Sequence, residues 1–226
     1  MQTPLKRHIV MMGAPGSGKG TQSAILAEKL GINAFSMGDI LRGVAKGTSK
    51  EAQEVKKLID KGNMVPNKLA VRLMESELLK PENAAGYILD GFPRELPQAK
   101  VLDKDLASRK YRDYNMGVDL VLLLQVPDDY VIDRIIGRFQ CAHCGTLYNE
   151  KFKQTASFGI CDECGCKEFT RRADDTYETV VSRLRTFRSV TAPVIPYYEQ
   201  KGLLVCVDGT GPIDVVSEKI RKIVGY

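Results

Sequence analysis

The residues with the most specific chemistry stand in Gly13-Ala14-Pro15-Gly16-Ser17-Gly18-Lys19-Gly20-Thr21-Gln22, directly after the apolar run Ile9-Val10-Met11-Met12. Strand, glycine loop, lysine and helix in that order make a phosphate-binding loop. The glycines let backbone N–H groups turn inward around oxyanions, and the helix read over 22–30 adds the positive end of its dipole. Lys19 reaches the outer phosphates as a mobile point charge. A glycine turn that holds nothing is the competing reading. The complete GxxxxGK spacing between a strand and a helix argues against it. One detail departs from the general pattern: Gly20 intervenes before the hydroxyl of Thr21.

A second chemistry lies in the cysteines. Cys141-Ala142-His143-Cys144 and Cys161-Asp162-Glu163-Cys164 are separated by sixteen residues, the spacing of a four-thiolate zinc ribbon. Gly145 and Gly165 follow each pair, where a tight knuckle favours positive φ. Buried free thiols or a redox CxxC would explain one pair but poorly explain two. Four thiolates complete a tetrahedron, so Cys141, Cys144, Cys161 and Cys164 point to a structural Zn2+, one per chain. The segment has too few core residues to fold without it. Cys166 is a possible substitute for Cys164, and Cys206 reads as a small core residue of the last strand.

Phosphoryl transfer is mostly positioning and charge stabilisation, so it calls for arginines aimed at the reacting phosphates. Arg42, Arg94, Arg134, Arg138, Arg172 and Arg183 are the candidates. Taken singly, each reads as a surface charge. Their neighbours say otherwise: Arg42 ends Gly38-Asp39-Ile40-Leu41, Arg94 ends Asp90-Gly91-Phe92-Pro93, and Arg134 and Arg138 flank Ile135-Ile136-Gly137.

These residues need a frame that gathers them. Strands are read at 34–36, 87–90, 120–126 and 203–207, the third as a continuous apolar run expected when both sheet faces are covered. Helices are read over 40–46, 49–61, from 67 to Pro81, 128–136 and 212–224, with Ser49 and Asn67 as caps. Strands alternating with helices give an α/β fold with a parallel, doubly wound sheet. Residues 137 to about 174 break the alternation and read as an inserted subdomain, with helix resuming near Tyr177.

At 226 residues and 43% hydrophobic, the chain makes one domain with a core of ordinary size. No window is apolar enough to span a bilayer, and Met1–His8 carries no secretory pattern, so a cytoplasmic protein with reduced cysteines is expected. The formal charge of +5 suits either a basic surface or an inward cluster of arginines binding polyphosphate.

The run GAPGSGKGTQ, the GFPR loop at Gly91–Arg94, the segment Gly62-Asn63-Met64-Val65-Pro66 and the exit Arg172-Ala173-Asp174-Asp175 together resemble the nucleoside monophosphate kinases, their adenylate kinase branch in particular. The resemblance covers essentially the whole chain. It implies a P-loop nucleoside monophosphate kinase fold with a core at 1–35, 66–136 and 175–226, a monophosphate-binding helical insertion at 36–65 and a zinc-bearing lid at 137–174. It implies reversible transfer from MgATP to AMP giving two ADP, by a monomer with no nucleic-acid or membrane partner. Another monophosphate acceptor or a GTP donor are the nearest alternatives. A zinc-ribbon nucleic-acid module is the distant one, disfavoured by the ribbon's balanced charge and lack of stacking aromatics.

Carried onto this sequence, the resemblance places Gly16, Ser17, Gly18, Lys19, Gly20 and Thr21 on the ATP phosphates. Arg134, Arg138, Leu147, Tyr148 and Gly211 would complete the donor site. The AMP site would comprise Met37, Arg42, Asn63, Met64, Val65, Gly91, Phe92, Pro93, Arg94, Gln98, Arg172 and Arg183. Lys19 and Arg94, Arg134, Arg138, Arg172 and Arg183 would be catalytic, and Asp90 with Asp39 would hold Mg2+ through water. Three positions depart from the family's usual residues: Met37 for threonine, Asn67 for aspartate and Phe139 for a second arginine.

Overall fold

A computed structural model describes residues 7–83, 85–107, 110–111, 114–115 and 117–226; Met1–Lys6, part of the N-terminal segment read above, lie outside the described residues. The strands are β1 (His8–Gly13), β2 (Asn33–Ser36), β3 (Tyr87–Asp90), the short β4 (Lys110–Tyr111) and β5 (Tyr114–Asn115), β6 (Leu120–Gln125), β7 (Arg138–Cys141), β8 (Leu147–Asn149), β9 (Phe169–Thr170) and β10 (Leu204–Asp208). The helices are α1 (Lys19–Leu30), α2 (Met37–Ala45), α3 (Lys50–Asp60), α4 (Asn67–Leu78), α5 (Leu96–Ala107), α6 (Asp128–Ile136), α7 (Tyr177–Thr186), α8 (Val194–Gln200) and α9 (Ile213–Val224).

The main sheet runs β10-β6-β1-β3-β2, every pairing parallel. Residues alternate between its faces. Ile9 and Met11, with Leu120, Leu122 and Leu124, pack on α1 and α9, whereas Val10, Met12, Val121 and Leu123 join the cluster built with α2 to α5 and α8. Both faces are covered, which is why β6 reads as an unbroken apolar run. β1 is flanked by β3 and β6, so the chain winds away from it in both directions. The register sets Met11 opposite Asp90 and Ser36 opposite Asp90, and Gly13 opposite Leu124. The carboxyl ends of the strands therefore meet along one edge, beside β1, where ligands bind in open α/β sheets.

Between Gly137 and the start of α7, a separate three-stranded antiparallel sheet, β8-β7-β9, carries a small cluster of Cys141, Tyr148 and Cys161 with Phe139, Cys166 and Phe169 around it. Below its root, Val131 and Ile135 of α6 pack with Ala14, Val180 and Leu184.

Three local expectations change. The helix read from residue 40 begins at Met37, because the Ser36 hydroxyl accepts the Asp39 N–H and caps it there. Ser49 does cap α3, through the Ala52 N–H, but Asn67 does not cap α4. Pro66 occupies the cap position with no side-chain bond, and the Asn67 amide is taken up by Glu95 and Gln98. Cys206 is exposed, not a core residue, since β10 is the outer strand of the sheet.

Candidate active site

The loop after β1 is shaped by crowding as much as by glycine's torsional freedom. A Cβ at Gly13 would lie 2.6 Å from the Leu124 carbonyl oxygen, and one at Gly16 would lie 2.7 Å from Cγ1 of Ile135 on α6. Gly18 has open space but φ of +99°, and it caps α1. So Gly13 and Gly16 are required both by their neighbours and by positive φ, of +143° and +76°, and Gly18 by its backbone alone. At the base of the loop, Gln22 ties α1 to α9: its Nε2 donates to Ile213 O at 3.0 Å and its Oε1 accepts from Ser217 at 2.8 Å.

Lys19 is folded back onto the loop, with Nζ donating to Gly13 O at 2.9 Å and Ala14 O at 2.8 Å. Burial lowers its pKa to about 8, against the attraction of Asp90 and with the repulsion of Arg94 and Arg183. Asp90 is pushed up by its own burial, opposed by Lys19 and Arg94. Together they set a half-buried cation beside a carboxylate at the strand ends, both facing the cavity.

The arginines arrive from α2, the loop after β3, α6, β7, the segment after β9, and α7. One cavity of about 660 Å3 is lined by Lys19, Asp90, Arg42, Arg94, Arg134, Arg138, Arg172 and Arg183. Several are held by carboxylates or carbonyls. Arg42 bonds Asp39 at 2.5 Å, Arg183 bonds Asp174 at 3.0 Å, and Arg138 grips the buried Asp175 through two bonds of 2.8 and 2.5 Å. Arg94 Nε donates to Gly91 O at 2.9 Å. Arg172 has no ion pair among the described residues; burial, then the charges of Arg138 and Arg42, lower its pKa to about 10. Burial likewise lowers Arg94 and Arg183. For Asp39, burial is outweighed by the Arg42 hydrogen bond and charge, and its pKa falls. Partly desolvated cations facing one another are costly until an anion sits between them. The cavity is built for a polyanion.

Of the residues read from the sequence, Gly16 to Thr21, Asp39, Arg42, Met64, Asp90, Gly91, Pro93, Arg94, Arg134, Arg138, Leu147, Tyr148, Arg172, Arg183 and Gly211 share this cavity wall. Met37, Val65, Phe92 and Gln98 do not; they are buried behind it. Asn63 is also absent from the wall. The structure adds residues that sequence reasoning missed. The Arg134 guanidinium lies 5.9 Å from the Tyr130 ring centre and 5.6 Å from that of Phe152, and these rings stack at 5.8 Å. Tyr130 stands one helical turn before Arg134, but nothing in the sequence joins Phe152 to them. Asp174 and Asp175, quoted only as part of a motif, prove to be the partners of Arg183 and Arg138.

Away from the cavity, the Sγ atoms of Cys141, Cys144, Cys161 and Cys164 all lie within 4.8 Å of one another. Cys141–Cys164 and Cys144–Cys161 are each 3.5 Å apart. Thiolates on a tetrahedral metal stand about 3.8 Å apart for metal–sulfur bonds near 2.3 Å, so the four donors fit a metal ion. Cys166 lies outside this set. Tyr148 supports the group: its hydroxyl donates to Cys161 Sγ at 3.4 Å and accepts from the Asp162 N–H at 2.8 Å.

A phosphate loop at the carboxyl edge of a parallel sheet, facing converging arginines, defines a P-loop phosphotransferase. The sequence model described as adenylate kinase matches residues 11–203. The adenylate kinase of Ruminiclostridium cellulolyticum is 43% identical over 217 residues, spanning 96% of this chain and 99% of that protein. That of Erythrobacter litoralis is 42% identical over 213 residues, 94% and 97% of the two chains, and that of Lachnospira eligens is 43% identical over 217 residues, 96% and 99%. The chain belongs to the adenylate kinase family. No helix among the described residues is long and apolar enough to cross a membrane.

Proposed function

We propose that the protein catalyses reversible phosphoryl transfer from MgATP to AMP, giving two ADP by direct in-line displacement. The observation that carries this reading is the single cavity in which Lys19, Asp90 and six arginines meet. Gly16 to Thr21 would hold the donor phosphates, with Arg134, Arg138, Leu147, Tyr148 and Gly211 around the donor nucleotide. Arg42, Arg94, Arg172 and Arg183 would take the acceptor phosphate and the transferred group. The backbone of Asn63 to Val65 and Gly91 to Pro93, with Met37 and Gln98 behind the wall, would shape the acceptor base site. The AMP phosphate is itself the ionised nucleophile, so no strong general base is required. Lys19 would leave its two carbonyls for the donor phosphates, and the carboxylates of Asp174 and Asp175 would keep Arg183 and Arg138 extended until phosphates replace them.

Asp90, with Asp39, would hold Mg2+ through water, as suits a hard cation that sheds few of its waters. When bound, this ion offsets charge on the donor phosphates. The four cysteines would hold a structural Zn2+ within a lid over 137–174, and the helical pair α2 and α3 would form the monophosphate-binding segment at 36–65. A lid that swings over the site excludes water from the transfer and suits a cytoplasmic monomer acting on ATP, AMP and ADP without a nucleic-acid partner.

The test is a panel of AMP, CMP, UMP and GMP as acceptors against ATP and GTP as donors. ATP with AMP is expected to give the highest kcat/KM; a higher value for any other pair overturns the assignment.

A further inference from the structure

The Asn67 amide is engaged at both ends. Its Nδ2 donates to Glu95 Oε2 at 2.5 Å and its Oδ1 accepts from Gln98 Nε2 at 2.5 Å. Gln98 Oε1 in turn accepts the Arg94 backbone N–H at 2.7 Å. A side-chain amide can face either way, and only its partners decide. Here they leave no choice. An ionised carboxylate can only accept, so Glu95 requires Nδ2 of Asn67 on its side and Oδ1 on the other. Oδ1 requires a donor, which fixes Nε2 of Gln98 towards it. The Arg94 N–H, which can only donate, independently requires Oε1 at the opposite end. Gln98 is 2% exposed, so no competing solvent relaxes the arrangement. It keeps one N–H on Nε2 and one lone pair on Oε1 beyond these bonds.

We infer that Asn67, oriented by Glu95, is a positioning residue that locks the Gln98 amide in the orientation matching adenine and opposing guanine. This rests on the proposed place of Gln98 in the acceptor base site, and requires the cavity wall in front of Gln98 to part when the base enters. Adenine offers an amino donor beside a ring-nitrogen acceptor, which suits the lone pair on Oε1 and the N–H on Nε2. Guanine presents a carbonyl acceptor beside a ring N–H, the reverse pattern, as the amino and carbonyl groups at their sixth positions dictate. Reading guanine requires the Gln98 amide to turn over. That would set Nε2 against the Arg94 N–H and Oε1 against Asn67 Oδ1, two buried mismatches at once.

The position 67 side chain also explains why Glu95 can stand beside it. A carboxylate at 67 would still accept from Gln98 but would meet the Glu95 carboxylate at hydrogen-bond distance. Asn67 and Glu95 are thus a matched pair, and the match can be broken and restored by charge.

The experiment measures kcat and KM for AMP and for GMP at saturating MgATP, with KM for ATP and melting temperature, in the full chain. Asn67→Asp is expected to raise KM for AMP about tenfold and to narrow the preference for AMP over GMP by about tenfold, with KM for ATP unchanged to within about twofold. Adding Glu95→Gln to it restores both to within about threefold, because the new amide at 95 can donate to the new carboxylate at 67. Gln98→Ala tests the reading underneath. If Gln98→Ala raises KM for AMP and Asn67→Asp does not, the base site stands and the inference falls. If Gln98→Ala leaves KM for AMP unchanged, both fall. Damage by Asn67→Asp that the second substitution does not repair marks a purely structural role and also overturns the inference.

Discussion

The molecule has two centres held together by opposite means. The phosphate-loop centre sits on a parallel sheet whose strands are buried on both faces, with Val10, Val121, Leu122 and Ile88 fully enclosed. Apolar burial there is large enough to carry an internal cost: a half-buried lysine beside a half-buried aspartate, and arginines that face each other. The cysteine centre between Gly137 and α7 has a buried cluster of only Cys141, Tyr148 and Cys161. Its sheet has strands of four, three and two residues. Burial on that scale contributes little, and a metal held by the four thiolates, as proposed, would supply what the core does not. One region gives up stability for function; on the proposed reading, the other would draw its stability from a metal.

That contrast can be tested by removing the expected source of activity from one region and of order from the other. The largest effect is expected for Lys19→Met, which should lower kcat by about 10³-fold while the protein remains folded. Its thermal unfolding should also change its pH dependence. The Lys19 pKa is about 8 in the folded protein against 10.5 for an unperturbed lysine. Between those values the unfolded chain binds the extra proton, so the burial penalty is complete below pH 8 and is relieved as pH rises towards 10.5. The parent protein should therefore gain stability relative to Lys19→Met across that window. Chemical denaturation of both proteins at pH 7.5 and 10 checks it; a constant difference would show that Lys19 is not buried as a cation.

Next in size, Cys161→Ser should release the metal and unfold residues 137–174 at a temperature below the main transition, leaving the parallel sheet intact. Metal analysis and calorimetry read this directly, with hydrogen exchange locating the lost order. A single undivided transition at the parent temperature would mean that the small sheet does not depend on its thiolates. The smallest effect belongs to Tyr148→Phe, which removes the hydroxyl between Cys161 and the Asp162 N–H. Metal should then be lost to a competing chelator about tenfold more readily, as is typical when a group supporting a metal ligand is deleted. An unchanged rate and extent of loss would assign that hydroxyl to local packing alone.

The two regions also differ in how far their sequence announces them. The phosphate loop and both CxxC pairs are contiguous, and local spacing dictates their geometry, so each is legible by inspection. So are β6 and β3, because strands buried on both faces have little freedom in composition. What escapes is whatever a distant neighbour decides. Asn67 has the chemistry of a helix cap, and it is diverted because Glu95 and Gln98 compete for its amide. Cys206 carries an apolar side chain but lies on an outer strand. The pairing of Arg138 with Asp175 requires β7 to meet the segment before α7, and that of Arg183 with Asp174 requires this segment to lie back along α7. Tyr130 and Phe152 meet across Arg134 only once the segment after β8 returns to α6. The aromatic contact has no period or motif to reveal it.

Gly16 and Ile135 illustrate what such closeness means over generations. They are far apart along the gene, yet a single added carbon at Gly16 would fall inside the volume that Ile135 occupies. A smaller residue at the second position would not by itself admit a side chain at the first, because the added carbon would still lie 3.1 Å from the Val131 carbonyl oxygen on a backbone with φ of +76°. Side chain and backbone of α6 both press on the phosphate loop, so the glycine is held by its neighbours and by its own torsion at once.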